Sequence, residues 1–379
     1  MSFPILRLAR APLAAFGAMG VCWGTFAADL PDIMAMLAVD ETRLGQLLLM
    51  TPIAAILAML AAPRIGHALG RVALPVMTIA MTLAFALPGQ TAVWWLFPLA
   101  MLASGATTGA VDVLMNARAT MIEAVSGRPL MNLCHAAYSF GYAAGAVLTG
   151  VLRSFGQPPA VVMAAMAGVA LLIALAAFER DGRIAGLSRP PKGQSASLGL
   201  VPVIGGGIVL IAFLTENAAE SWSALHIEQT LHGSPAFGAA APAILALTMG
   251  VARLAGQGLA GRVRGLHLML GGALISATGA LTVAAATSPA MAYAGFVVMG
   301  VGSSVIAPTA FTLIGQNAEP QARARAVARA TLLGYFGYFI GPPSLGFIAG
   351  SFGLRAAFVF TALMLGLIWA LAPVLACRR

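Results

Sequence analysis

Apolar runs of about 20 residues recur along this chain with only short polar breaks, the length a helix needs to cross a hydrocarbon core of roughly 30 Å. Inside lipid, only helices and closed barrels satisfy their own backbone groups. The runs are continuous rather than alternating, which predicts helices and argues against a barrel. Composition bears on the same point. Of 379 residues, 60% are hydrophobic and 9% charged, where a soluble domain carries about 25% charged residues. So few charges cannot cover a surface that faces water. The expected class is an all-α membrane protein with the lipid bilayer as a partner.

Twelve transmembrane helices are expected, near 11–31, 44–63, 72–89, 92–117, 131–153, 158–178, 199–225, 237–260, 266–287, 289–315, 326–350 and 353–376. Pro52 interrupts the second, which a membrane helix tolerates. With both termini placed in the cytoplasm, all of the 21 Lys and Arg residues except Arg43, Arg153 and Arg355 fall on the inner side. That is a strong positive-inside asymmetry, and an odd number of spans would destroy it. The expected location is a bacterial inner membrane. The asymmetry also accounts for the net charge of +9 without nucleic acid. Arg7 and Arg10, an apolar stretch and Phe26-Ala27-Ala28 imitate a signal peptide, but the segment is long enough to be the first span and reads as uncleaved. Cys22, Cys134 and Cys377 lie in or beside apolar runs, at spacings that fit neither a metal motif nor a disulfide framework. They read as buried small residues. Without a phosphate-binding loop, direct drive by ATP is not expected. Neither a cofactor nor a soluble enzyme site is expected.

The longest polar stretch, 179–198, reads as a linker. It divides the chain into expected six-helix bundles at 1–178 and 199–379. The halves look related. Gly141, Gly145 and Gly150 in span five are matched 196 residues later by Gly337, Gly341 and Gly346 in span eleven. The loops after spans two and eight echo each other at an offset of 195, Pro63 to Arg71 against Gly258 to Leu266. Parallel six-span halves are an architecture of secondary transporters, with the solute site near mid-membrane.

With these features on the page, the chain resembles the major facilitator superfamily along nearly its whole length. The family's loop signature, roughly Gly-x-x-x-Asp-x-x-Gly-Arg-Arg/Lys, is kept in part. The first copy has Gly70 and Arg71, with Pro63 for the leading Gly and His67 for the Asp; the second has Gly258 and Gly265, with Arg262 at the Asp place. A narrower likeness runs through Asp112, Asn116 and Glu123, then Gly127-Arg128-Pro129, His135, Tyr138-Ser139 and Gly141, with Glu216 and Trp222-Ser223 in span seven. This is similar to a little-characterised bacterial branch distantly related to fucose permeases. The likeness implies proton-coupled transport and fixes no substrate. The antiporter motif of drug exporters, Gly-x-x-x-Gly-Pro, is incomplete in span five, where Ala146 follows Gly145. Gly337, Gly341 and Pro342 keep that spacing in span eleven.

An ionisable group inside a span costs about 2.5–3.5 kcal/mol on insertion scales and is a functional candidate by default. The candidates for proton coupling or substrate binding are Glu216, Glu220, Asp112, His135 and Asp29. Asp112 and Asn116 share a helix face. Asp112 and His135 fall at similar depths on adjacent spans, and a carboxylate beside an imidazole exchanges a proton near neutral pH; a structural clamp between two helices is the alternative. Glu216 lies near the middle of span seven, with Glu220 one turn outward on the same face. Two carboxylates about 6 Å apart in low dielectric cannot both ionise cheaply, so Glu216 is the leading proton carrier. For Asp29 the alternative is a solvated helix end leading into Pro31-Asp32. Tyr138 and Trp222, with Trp23, Phe26, Tyr335 and Tyr338, are aromatics that stack on a solute or else anchor helices. Arg71, Arg262, Arg118 and Glu123 are expected to hold the inner side shut.

These features lead to the expectation of a monomeric, proton-coupled secondary transporter moving a small-molecule substrate by alternating access. The rivals are an uncoupled facilitator or exporter of a small organic solute, and a non-transporting receptor that reuses the fold.

Overall fold

A computed structural model describes residues 8–127, 130–184, 199–256, 263–319 and 323–376. Among them there is helix and no strand. In chain order the helices are α1 (Arg10–Leu37), α2 (Glu41–Leu48), α3 (Met50–Leu69), α4 (Ala73–Ala84), α5 (Phe97–Ser126), α6 (Met131–Ser154), α7 (Pro159–Leu175), α8 (Val201–Leu225), α9 (Pro235–Gly256), α10 (Gly265–Ala285), α11 (Pro289–Asn317), α12 (Arg323–Phe352) and α13 (Leu354–Ala376). Each of the twelve expected spans is occupied by helix. Among the described residues, nine helical stretches are long and apolar enough to cross a membrane, and Pro159–Leu175 is a shorter apolar helix. One of the nine, Glu41–Gln90, is 50 residues long and holds α2, α3 and α4. The chain is a multi-pass membrane protein.

Prolines explain where helix ends differ from the expectation. The second span is two helices, because Pro52 has no N–H to serve the carbonyl of Leu48, where α2 stops. α1 continues beyond 31 to Leu37 with Pro31 inside it. Pro31 removes one helical bond, and Arg153 Nη1 donates to the nearby Ala28 carbonyl at 2.8 Å. The turn between α3 and α4 rests on Gly70, whose φ of 57° and ψ of −124° suit glycine rather than a residue with a Cβ.

The helices form two compact units. Unit 1 comprises the described residues of Met1–Asp40, Leu47–Pro190 and Ser234–Leu247; unit 2 comprises those of Glu41–Gln46, Pro191–Gly233 and Thr248–Arg379. In lipid the hydrophobic effect does not drive helices together, and close approach of small residues takes its place. In unit 1, α1 packs along α6, and a Cβ on Gly141 would lie 2.4 Å from the carbonyl oxygen of Gly17. In unit 2, α8 packs along α12, and a Cβ on Gly337 would lie 2.3 Å from the carbonyl oxygen of Leu210. Matching glycines of the repeat thus permit the same kind of contact in each unit. Around this packing, unit 2 buries Ile208, Val209, Met269, Ile306, Ile314, Leu365 and Ile368.

Candidate functional site

From Leu210 to Ser221, α8 leaves only Leu210, Phe213, Glu216, Asn217, Glu220 and Ser221 less than fully buried. Steps of three and four residues place them in one stripe. Charge on a face that met lipid would be expensive, so the stripe is a candidate site. α9 brings Arg253 to it: Nη2 lies 3.2 Å from Glu216 Oε1. The two side chains are 19% and 14% exposed. Glu220 stands one turn on, with Glu216 and Arg253 as the charges acting on it. α12 brings Tyr335 and Tyr338. Phe213 stacks on Tyr338 at 4.9 Å and 25°, and lies 5.8 Å from Tyr335. Glu216, Glu220, an arginine and three rings therefore meet within unit 2. Trp222 is 1% exposed and turned to the opposite side of α8, so it belongs to the packing of the helix and not to the stripe.

Asp29 is buried near the C-terminal end of α1, not at a solvated helix end. It lies 3.8 Å from Arg153 of α6, and neither side chain is exposed. Arg153 donates through Nε and Nη2 to the two carboxylate oxygens of Asp32, each at 2.7 Å. The sequence pattern ends the fifth span at Arg153 and counts it as an outer-side cation; the structure buries it because two acids and a carbonyl supply its partners.

The remaining candidates lie elsewhere in unit 1. Asn116 Nδ2 donates to Asp112 Oδ1 at 3.1 Å and to the Asp112 carbonyl at 2.8 Å, as expected for residues four apart. His135 meets Phe16 edge-on, with ring centroids 5.1 Å apart. Tyr138 is tilted against Tyr142 at 5.9 Å. Glu123 accepts from the backbone N–H groups of Leu130 and Met131, so it caps the start of α6. Arg118 donates from Nε to Glu179 at 3.0 Å, from Nη2 to the Asp181 carbonyl at 2.9 Å and from Nη1 to the Arg183 carbonyl at 3.2 Å. Gly182 packs against the backbone of Arg71. The segment after α7 is thus strapped over Arg71 by Arg118. A cavity of about 440 Å³ lies there, lined by Leu8, Arg10, Arg118, Glu179, Arg180 and Asp181. Arg262, the second-loop Gly258, Arg128, Pro129, Cys377 and linker residues 185–198 lie outside the described residues.

Sequence reasoning misses Arg253, Glu179 and Phe213. For Arg253 a signal exists: it falls well inside the expected span 237–260, where an arginine needs a partner. Glu179 and Phe213 carry no comparable mark.

The Major Facilitator Superfamily model matches residues 204–378. An uncharacterised MFS-type transporter of Yersinia pestis is 34% identical over 270 residues, covering 70% of this chain and 69% of that protein. An uncharacterised transporter of Sinorhizobium fredii is 27% identical over 377 residues, covering 97% of each. Among solved structures, the nucleoside transporter NupG matches with a TM-score of 0.72 at 12% identity, over 97% of this chain and 98% of that one. A variant of the E. coli fucose:proton symporter FucP matches with a TM-score of 0.63 at 16% identity, over 98% of both chains. These two likenesses establish the fold, and the relatives establish the lineage. The chain belongs to the major facilitator superfamily.

Proposed function

We propose that the chain is a monomeric secondary active transporter that moves a small solute across a bacterial inner membrane by alternating access, with both termini cytoplasmic and with Glu216 and Glu220 carrying the coupled proton. The observation that carries this reading is the arrangement of two carboxyl groups one turn apart on α8 around the single guanidinium of Arg253. One cation balances one carboxylate. In a low-dielectric site the other needs a proton or a second cation. Solute binding and protonation then compete for or share the same groups, and freeing Arg253 from Glu216 is the local event that couples them. The expected bundles 1–178 and 199–379 rock around the solute, while the Arg118–Glu179 strap beside Arg71 steadies the inner side. Proton coupling also draws support from the fold's solved members, which include a fucose:proton symporter and a D-xylose-proton symporter.

The test is proton flux into liposomes that hold the purified protein and a pH-sensitive dye, with sugars, organic acids, amino acids and cationic solutes added in turn. A solute-dependent flux that vanishes in Glu216→Gln is the expected result. Uphill solute movement at the wild-type rate in that variant removes Glu216 from the mechanism. A second reading has one observation in its favour: the Glu216–Arg253 pair is already closed at 3.2 Å, as a clamp between α8 and α9 would be. Under that reading the protein is an uncoupled facilitator, and labelled solute moves at a rate that ignores the pH gradient.

A further inference from the structure

On the α8 stripe the acceptors outnumber the cations that serve them. Glu216 takes Arg253 at 3.2 Å. Glu220, one turn on, has Glu216 and that same Arg253 acting on it, so two carboxylates face one guanidinium. Among the described residues, no other element packed on α8 gives the stripe a second cation. α11 has no charged residue, α12 has none after Arg329, and Arg355 of α13 donates to the Ala284 carbonyl at 2.9 Å. Asn217, on the same stripe, holds a buried side-chain oxygen with no hydrogen-bond partner. It faces α12 at Gly341, where an added Cβ would lie 3.5 Å from that oxygen. One turn away, Phe213, Tyr335 and Tyr338 bring their ring centroids within 6.0 Å of one another. A ring face attracts a cation through its quadrupole. Carboxylate, amide oxygen and ring face are all acceptors that one cationic donor can meet.

We infer that this stripe binds a monovalent organic cation, an amine with N–H donors on an apolar or aromatic body, and that this cation competes with a proton for Glu220. The inference rests on the reading of Glu216 and Glu220 as the coupling site and names the ligand class of that site. A neutral polyol satisfies Asn217 and lies on the rings but offers no charge to Glu220, which then has to keep its proton. An anion adds to the surplus. An ammonium group meets the carboxylate, the amide oxygen and the rings together. Because one carboxylate holds either the ammonium or the proton, solute and proton exchange rather than travel together.

Equilibrium binding to the purified full chain in detergent tests this without a gradient or any transport. The probes are phenethylammonium, 2-phenylethanol and phenylacetate, which put a cationic, a neutral and an anionic head on similar bodies. Calorimetry at pH 8 should give the cation at least about tenfold tighter binding than the alcohol, a difference that corresponds to one charge-assisted contact. As a proton takes over Glu220, the cation's affinity should fall by up to about tenfold per pH unit. Glu220→Gln should erase the preference for the cation, and Glu220→Asp should keep it, with size-exclusion profiles reporting that both variants are folded. Equal binding of cation and alcohol, tighter binding of phenylacetate, no binding of the cation, or a preference that survives Glu220→Gln overturns the inference. Cation binding with the expected pH dependence, but without proton movement in liposomes, instead removes the coupling reading and leaves the ligand class standing.

Discussion

Glu216 and Arg253 hold each other, with Glu220 beside them, so removing Arg253 leaves two carboxyl groups without a cation in a medium that solvates charge poorly. Breaking a buried pair from one side costs about 3–5 kcal/mol, whereas replacing both members by apolar groups is often neutral. Exposures of 14% and 19% put the expected loss at the lower end of that range. Arg253→Met should therefore lower the melting temperature in detergent, and adding Glu216→Leu should restore much of it without restoring uphill transport. If the double variant melts no higher than the single one, the two residues are not coupled. Arg153 makes a stricter demand. It serves Asp32 twice at 2.7 Å and the Ala28 carbonyl at 2.8 Å, geometry that suits a fork and not a point charge. Arg153→Lys should destabilise by about 3 kcal/mol, read as a thermal shift; a shift of a degree or less would show that the fork is not needed. The acids in these clusters are legible in the sequence because a charge in an apolar run is rare. Their arginines are less so: Arg253 lies inside a span but is counted with the many inner-side cations, and Arg153, at a span end, reads as one of the three outer-side exceptions rather than as a partner for Asp29 and Asp32.

Helices are the legible layer of this protein, since in lipid each segment satisfies its own backbone and continuous apolar runs report it directly. What the runs conceal is how one helix meets the next. The glycine series at offset 196 predicts close packing, and Gly141 and Gly337 now have specific opposing carbonyls. Gly141→Ala and Gly337→Ala should each destabilise by about 1–3 kcal/mol, because each Cβ meets backbone that cannot turn aside. Gly168 of α7 and Gly366 of α13 provide the contrast, with nothing within 4 Å of an added Cβ. Alanine there should raise stability by up to about 1 kcal/mol through helix propensity alone. Thermal melts of the four variants separate the two classes. Equal and opposite behaviour is not required, but a stabilising Gly141→Ala would mean that α1 and α6 are not held at that distance.

Across the whole molecule, each unit uses a segment from the other half of the sequence. Unit 1 includes Ser234–Leu247 and unit 2 includes Glu41–Gln46. Such an exchange leaves no local mark, because it consists of contacts between residues about ninety or more positions apart and the repeat itself gives only the two halves. Within unit 1, Ala239 and Ala243 of α9 pack with Ala28, Ala143 and Ala146, while Ala246 packs with Ala27 and Tyr142. Gly150 leaves room for Ala239, whose Cβ would stand 2.7 Å from a Cβ at that position. A chain ending at residue 184 therefore lacks a piece of unit 1 and exposes these small-residue faces, which depend on close approach for their stability. Expressed alone, residues 1–184 should aggregate or be degraded. Co-expressed with residues 199–379 as a separate chain, they should co-purify through a tag on either piece and give a single size-exclusion peak. Ala239→Leu on the second piece should weaken that recovery, because the larger side chain meets α6 at Gly150 where there is no space for it. Residues 1–184 that are monodisperse and equally stable without the second piece would mean that unit 1 does not need Ser234–Leu247, and the contacts at Ala239 and Ala243 would then be incidental to how the unit holds together.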